Sequence, residues 1–246
     1  MNADRDGHNL LLIAARNPVP GETKTRLGAA IGMERAARLY RAFLTDLAAR
    51  FTPTPETDPD FHLGWAFTPP ACDFGHVLAE LGWPQPEHVH FVPQVGQDWG
   101  ARQANLLRWG YDHGYARTAL TASDSPHLPR STAADAFTAL VDHDMVFGRV
   151  HDGGYYLIGL RGFHDVLSGV PMSTRSAADA ICARAHDLGL HIAELPPTFD
   201  VDEAGDLDLL QHALAPDGAA APATWAALQD LALARRSSSP TRQDRS

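Results

Sequence analysis

The chain has 246 residues, of which 44% are hydrophobic and 20% charged, enough apolar material for a full core in one domain. A formal net charge of -10 argues against a nucleic-acid partner, or an anionic membrane surface, held by bulk electrostatics. Two cysteines, Cys72 and Cys182, stand far apart and exclude both a paired zinc-ligand frame and a disulfide scaffold. No apolar run approaches the roughly 20 residues of a membrane span. The opening, residues 1–9, carries Asp4 and Asp6 and lacks the basic-then-apolar layout of a secretion leader, so a soluble cytoplasmic protein is expected.

The first predicted element is a strand, Leu10-Leu11-Leu12-Ile13-Ala14-Ala15, whose unbroken apolar run marks burial on both faces. A basic loop follows over 16–27. Residues 33–51 repeat apolar side chains at a helical period, through Leu39, Phe43, Leu44 and Leu47. Then come a strand at 61–67, a short helix at 77–81, a strand at 88–92 and a helix at 99–111. Residues 117–122 form a short apolar strand, and 131–141 a helix capped by Ser131 with Asp135 nearby. Strands at 144–148 and 155–160 precede a helix at 177–188, a strand at 191–195, an acid-led helix at 204–214 capped by Glu203 and Asp206, and a last helix at 223–234. Residues 235–246, rich in Ser and Arg, read as a disordered tail. Strands alternating with helices predict one α/β domain, residues 8–234, with a mostly parallel sheet covered by helices on both faces.

In parallel sheets ligands sit beyond the carboxyl ends of the strands, which is where the loop Arg16-Asn17-Pro18-Val19-Pro20-Gly21-Glu22-Thr23-Lys24-Thr25-Arg26 lies. Pro18 and Pro20 stiffen it, Gly21 lets it turn, and Arg16, Lys24 and Arg26 supply positive charge. An anion site is the reading favoured, because cations at a helix amino end oppose the dipole and a solvated first turn would prefer acids. Neither a Walker loop nor a Gly-x-Gly-x-x-Gly fingerprint is present.

The strand at 117–122 ends in Ser123-Asp124-Ser125-Pro126, which projects a carboxylate toward the same crevice. A phosphate beside a carboxylate calls for a divalent cation between them, so Asp124 is the first metal-ligand candidate, against the alternative of an Asx turn. His151-Asp152-Gly153-Gly154-Tyr155 fits either a tight hairpin or a close backbone approach to a ligand. In Phe199-Asp200-Val201-Asp202-Glu203, Asp200 and Asp202 alternate on an extended segment, and one of them is a second metal-ligand candidate. The histidines, among them His8, His62, His88, His90, His113 and His127, show no ligand spacing and read mostly as surface residues. No Gly-x-Ser-x-Gly elbow supports a serine nucleophile.

Taken in order, Pro20-Gly21-x-x-Lys24-Thr25-Arg26-Leu27, Ser123-Asp124-x-Pro126, Asp152-Gly153-Gly154-Tyr155-Tyr156-Leu157-Ile158-Gly159-Leu160 and Asp200-Val201-Asp202-x-x-x-Asp206-Leu207 resemble the DUF2064 family. That family of glycosyltransferase-like proteins is similar to the 2-phospho-lactate guanylyltransferases and shares the nucleotide-diphospho-sugar transferase (GT-A) fold. The resemblance covers about residues 8–214, and Gly96-Gln97-Asp98-x-Gly100-x-Arg102 resembles the family's Gly-Asp-Leu-Gly-x-Arg stretch. Where the family has an acid before Asp-Gly-Gly-Tyr, a Trp before Ser-Thr and a Lys after the first strand, this chain has His151, Met172 and Arg16. The usual Gly-Thr-Asp-Cys-Pro is Ala122-Ser123-Asp124-Ser125-Pro126 here.

The resemblance implies a nucleotide or nucleotide-sugar donor and a small-molecule acceptor. It implies that Lys24 and Arg26 contact the phosphates, with Arg16, Gly21, Thr25, Asp98, Arg102, Gly153, Gly154 and Tyr155 completing the substrate site. It also implies that Asp124 and Asp202 hold Mg²⁺ or Mn²⁺. The expected activity is glycosyl transfer, with Lys24 catalytic beside the phosphates and Asp152 or His151 as the base near the acceptor. Nucleotidyl transfer from a nucleoside triphosphate would use the same residues, and a non-catalytic nucleotide-binding protein is the third reading.

Overall fold

In the computed structural model, which describes residues 8–53, 61–83, 89–172 and 174–237, seven strands form one sheet in the order β3-β2-β1-β4-β6-β5-β7. In chain order the elements are β1 (Asn9–Arg16), α1 (Thr25–Ile31), α2 (Met33–Phe51), β2 (His62–Thr68), α3 (Phe74–Glu80), β3 (Val89–Pro93), α4 (Trp99–Asp112) and β4 (Arg117–Ala122). They continue with α5 (Ser131–Asp142), β5 (Met145–Val150), β6 (Tyr155–Arg161), α6 (Ala177–Asp187), β7 (Ile192–Thr198), α7 (Asp206–Leu214) and α8 (Pro222–Ser237). All neighbouring strands are parallel except at β6, which runs antiparallel to both β4 and β5.

Successive side chains of a strand point to opposite faces, so β1 feeds two cores. Leu11, Ile13 and Ala15 join the layer made by α1, α2, α3, α5, α7 and α8. Leu10, Leu12 and Ala14 join the layer made by α4 and α6. The predicted spans 33–51 and 117–122 coincide with α2 and β4, and the other elements lie where expected with shifted ends. Helix α8 runs to Ser237, into the span read as tail, while residues 238–246, the opening 1–7 and His88 lie outside the described residues.

Ser131 does not cap α5. The chain is already helical at Arg130, and the first helical amides of Thr132 and Ala133 donate to the carbonyls of Pro129 and Arg130. Nor are all the histidines surface residues. His62 Nδ1 and His90 Nε2 converge on the hydroxyl of Tyr115, at 2.8 and 2.7 Å, which gives two half-buried imidazoles a shared polar partner. Among the described residues no helix is long and apolar enough to cross a membrane.

The last helix is anchored by a charge from the second. Asp46, buried on α2, accepts from the backbone N–H groups of Ala223 and Thr224 at 3.0 and 2.7 Å, satisfying two amides that an opening helix leaves unpaired. Asp46→Ala should therefore destabilise the protein by about 1–3 kcal/mol in urea denaturation. The α8 amides should lose hydrogen-exchange protection before those of the sheet.

Candidate active site

The site grows from the carboxyl ends of β1 and β4, neighbours at which the connections diverge: β1 leads to β2 on one side, and β4 pairs β1 on the other. Loops leaving such a point in opposite directions open a crevice. The Ser123 N–H donates to the Ala14 carbonyl at 3.1 Å, which keeps the two strand ends together and delivers Asp124 over the sheet edge.

The basic loop turns through bonds from the amides of Glu22 and Thr23 to the Val19 carbonyl, with Gly21 at φ 81°, and reaches Lys24 at φ 48°, ψ 43°. Lys24 is the only non-glycine residue at positive φ among the described residues. That backbone costs about 1–2 kcal/mol. It sends the side chain inward, where the ammonium, only 5% exposed, lies 2.5 Å from Asp124 Oδ1 and 3.0 Å from Asp202 Oδ1. It also donates to the Val201 carbonyl at 2.8 Å. A solvated first turn is thus excluded for Lys24. Arg26 is 65% exposed and pairs with Asp202 Oδ2 at 2.6 Å and Glu203 at 3.3 Å.

Burial works against the Lys24 ammonium, but the charges of Asp124 and Asp202 outweigh it and hold its pKa above the ordinary lysine value. Burial likewise opposes the Asp202 carboxylate, yet Lys24 and then Arg26 keep its pKa low. Asp200 has no ion pair among the described residues. Burial first, then the charge of Asp124, pushes its carboxyl up to about 7, although the Ser125 hydroxyl donates to it at 2.7 Å. Beneath them Tyr40 joins its hydroxyl to the Arg16 N–H at 3.0 Å and to Ser123 Oγ at 2.7 Å. Burial, then Asp124, raises that phenol to about 12.

Two cavities open on this cluster, of about 470 and about 460 Å³. Arg16, Lys24, Thr25, Arg102 and Asp124 line only the first, whereas Asp152, Gly154, Met172 and Arg175 line only the second. Arg26, Trp99, Tyr155, Asp200 and Asp202 line both.

Other expected site residues stand apart from the cavities. Gly21 shapes the loop, Asp98 caps α4 by accepting from Ala101 N–H at 2.8 Å, and exposed His151 meets Thr198 only through its backbone N–H. The Asp152-Gly153-Gly154 stretch is the β5–β6 hairpin, with Asp152 Oδ1 accepting from Gly154 N–H at 3.0 Å. Its close approach is to main chain: a Cβ on Gly153, at φ 94°, would collide with the Arg175 carbonyl. Asp206 accepts from the amides of Asp202 and Glu203 upstream, and Glu203 pairs with Arg26, so these acids brace the acidic turn. Residues missed as site members are Tyr40, Trp99 and Arg175; Tyr40 reads in sequence as one more apolar position of α2.

The model of the DUF2064 family, described as uncharacterized proteins conserved in bacteria, matches residues 71–174. No curated protein matches the chain. Among solved structures, a candidate nucleotide-diphospho-sugar transferase from Desulfovibrio desulfuricans G20 superposes with TM-score 0.82 at 29% identity, over 93% of this chain and 97% of that one. The 4-diphosphocytidyl-2C-methyl-D-erythritol synthase of Anaerococcus prevotii DSM 20548 reaches TM-score 0.54 at 8% identity, over 85% of this chain and 96% of that one. A CMP:2-keto-3-deoxy-manno-octonic acid synthetase in complex with CTP reaches 0.50 at 12%, over 85% and 98%. The latter two share the fold alone. The expected α/β class, a mostly parallel sheet between helical layers of the nucleotide-diphospho-sugar transferase kind, is the one observed.

Behind the acidic turn, His127 stacks on Phe199 with centroids 4.1 Å apart and meets Thr198 Oγ1 through Nε2 at 2.8 Å. Burial, and secondarily the Arg50 charge, lowers its pKa to about 4, so unfolding below the ordinary histidine pKa takes up a proton. His127 therefore contributes stability that is fully present above pH 6.5 and is lost as pH falls toward 4. Asp200 titrates across this window with the opposite sign, so the readout is the difference between the native protein and His127→Gln. That difference should shrink on acidification from pH 7 to pH 4.5 in urea denaturation.

Proposed function

We propose that this chain, a member of the DUF2064 family, is a nucleotide-dependent transferase that moves a glycosyl group from a nucleotide sugar to a small acceptor with a divalent cation at Asp124 and Asp202. The observation that carries the reading is the junction at Lys24, a buried cation between two carboxylates where two cavities meet. Arg16, Arg26 and Arg102 add positive charge to the first cavity, which suits the diphosphate of a donor. Asp152 in the second cavity suits an acceptor hydroxyl. The nucleotide-diphospho-sugar transferase named above, which spans nearly the same chain, supports the donor class.

The residues present fit Mg²⁺ or Mn²⁺. Asp124 and Asp202 converge on the Lys24 ammonium and bring together the hard carboxylate donors these ions prefer, so an ion would bind them beside that ammonium. Among the described residues no group of three ligating side chains is preformed, so phosphate oxygens and water would complete the shell. When bound, the ion supplies positive charge to the departing diphosphate. Lys24 and Arg26 add to that charge from fixed positions, which favours the leaving group as its negative charge grows. Asp152, with one oxygen held by the Gly154 amide, presents the other to the acceptor hydroxyl and takes its proton. His151 is exposed and lines neither cavity, so Asp152 is the base of this reading.

One observation favours nucleotidyl transfer as a second reading. Arg175 lines the second cavity and has no ion pair among the described residues, which leaves a guanidinium for a phosphorylated acceptor. The two reactions differ in product: nucleoside diphosphate for the first, pyrophosphate for the second.

The protein should be stabilised by a nucleotide sugar together with Mg²⁺, by about 2–4 kcal/mol at ligand well above its dissociation constant. Asp124→Asn should lose the metal-dependent part of that gain. Asp152→Asn should keep donor binding but lower kcat by about 10²-fold or more. Absence of any shift with nucleotide sugars and triphosphates alike, with or without metal, would remove both transfer readings.

A further inference from the structure

The wall common to the two cavities carries an aromatic surface that the proposed chemistry has not yet used. Trp99, the first residue of α4, lines both cavities and is 38% exposed, whereas Trp65 in the core is 1% exposed. Among the described residues its indole makes no ring stack, cation–π contact or hydrogen bond. Tyr155, the other aromatic on that wall, is committed: its hydroxyl accepts from Gln103 Nε2 at 2.6 Å, and its ring lies 5.0 Å from that of Phe147.

The backbone that carries Trp99 is anchored on both sides. Asp98 caps the helix beneath it, Arg102 Nε donates to the Gly96 carbonyl at 3.3 Å, and Asn105 Nδ2 donates to the Val95 carbonyl at 2.8 Å. Gly96 is at φ 154° with its Cβ direction closed by the Arg102 amide, so the loop before Trp99 has little freedom. A large apolar side chain on an anchored stretch of backbone, open to a cavity, is suited to stack on a flat or ring-shaped ligand.

Resting on the glycosyl-transfer reading, we propose that Trp99 is the platform for the transferred sugar ring of the nucleotide-sugar donor. Arg26, Asp200 and Asp202 share its wall, so the group stacked there lies next to the diphosphate-binding charges. In a nucleotide sugar the sugar ring is bonded directly to the diphosphate, whereas the base is set off by a ribose. The ring that fits beside those charges is the sugar. Its apolar C–H face would cover the indole while its hydroxyls meet the carboxyl group of Asp200.

The test is calorimetric binding, with Mg²⁺, of UDP-glucose, GDP-mannose and ADP-glucose against UDP, GDP and ADP, by the native protein, Trp99→Ala and Trp99→Phe. Trp99→Ala should weaken the nucleotide sugar by about 5- to 50-fold and the matching diphosphate by less than about twofold, the range expected of one lost stacking partner. Trp99→Phe, which keeps a smaller face and tests the platform should the alanine variant fold poorly, should lose less of the sugar-dependent affinity. Equal losses for sugar and diphosphate, or no loss for either in both variants, would overturn the platform alone. Failure of the native protein to bind any of the three nucleotide sugars would overturn the glycosyl-transfer reading and the platform with it.

Discussion

Three stretches far apart in the chain meet at one ammonium group. The loop after β1 brings Lys24, the end of β4 brings Asp124, and the turn between β7 and α7 brings Asp202. A bond from the Val201 amide to the Asp124 carbonyl, 3.0 Å long, stitches the last two together, and Lys24 closes the set by donating to the Val201 carbonyl. Without that cation three carboxyl groups would face one another in a half-buried crevice, where repulsion and lost solvation add. The left-handed backbone at Lys24 and its unfavourable place at a helix amino end are both local costs. They persist because the surrounding charges over-determine the conformation.

The sheet makes this arrangement possible by presenting several strand termini along one edge. Parallel strands β1, β2 and β4 end there, and β6, running the other way, begins there. Tyr155 and Tyr156 thus enter the crevice from the start of a strand, and Asp124 and Arg16 from the ends of others. Two cores of different make-up, one under α4 and α6 and the other under the remaining helices, hold the edge from both sides. Tyr40 links the larger of these layers to the site floor through Arg16 and Ser123.

What the sequence discloses follows from the range of the interactions. The buried run at 10–15, the helical period over 33–51 and the strand at 117–122 are local patterns, and each lands where its pattern places it. Strand ends move because they are set by partners: β7 reaches Thr198 since β5 continues beside it to Val150. The reversed direction of β6 leaves no mark in an apolar run, and only the Asp-Gly-Gly turn hints at it, as one of two options. Alternation put Asp200 and Asp202 on one side, but which of them takes Lys24 depends on a residue 178 positions away. Ser131 shows the opposite failure, a local signal overridden because Pro129 and Arg130 already supply the carbonyls. Asp46 and the pair His62 and His90 would look misplaced or surface-bound until their distant partners, the α8 amides and Tyr115, come into view.

The contact of Gly153 with the Arg175 carbonyl bears on how such a protein can diverge. One side of the second cavity is fixed by main chain meeting main chain, so any side chain at position 153 would push the two segments apart. Descendants of this sequence cannot reshape that side by exchanging residues there. Variation in what the cavity admits is channelled instead to other residues of its lining, such as Trp99, Met172 and Thr174. The hairpin and the Arg175 backbone form a fixed hinge pin, and inherited change in selectivity must be written on the side chains around it.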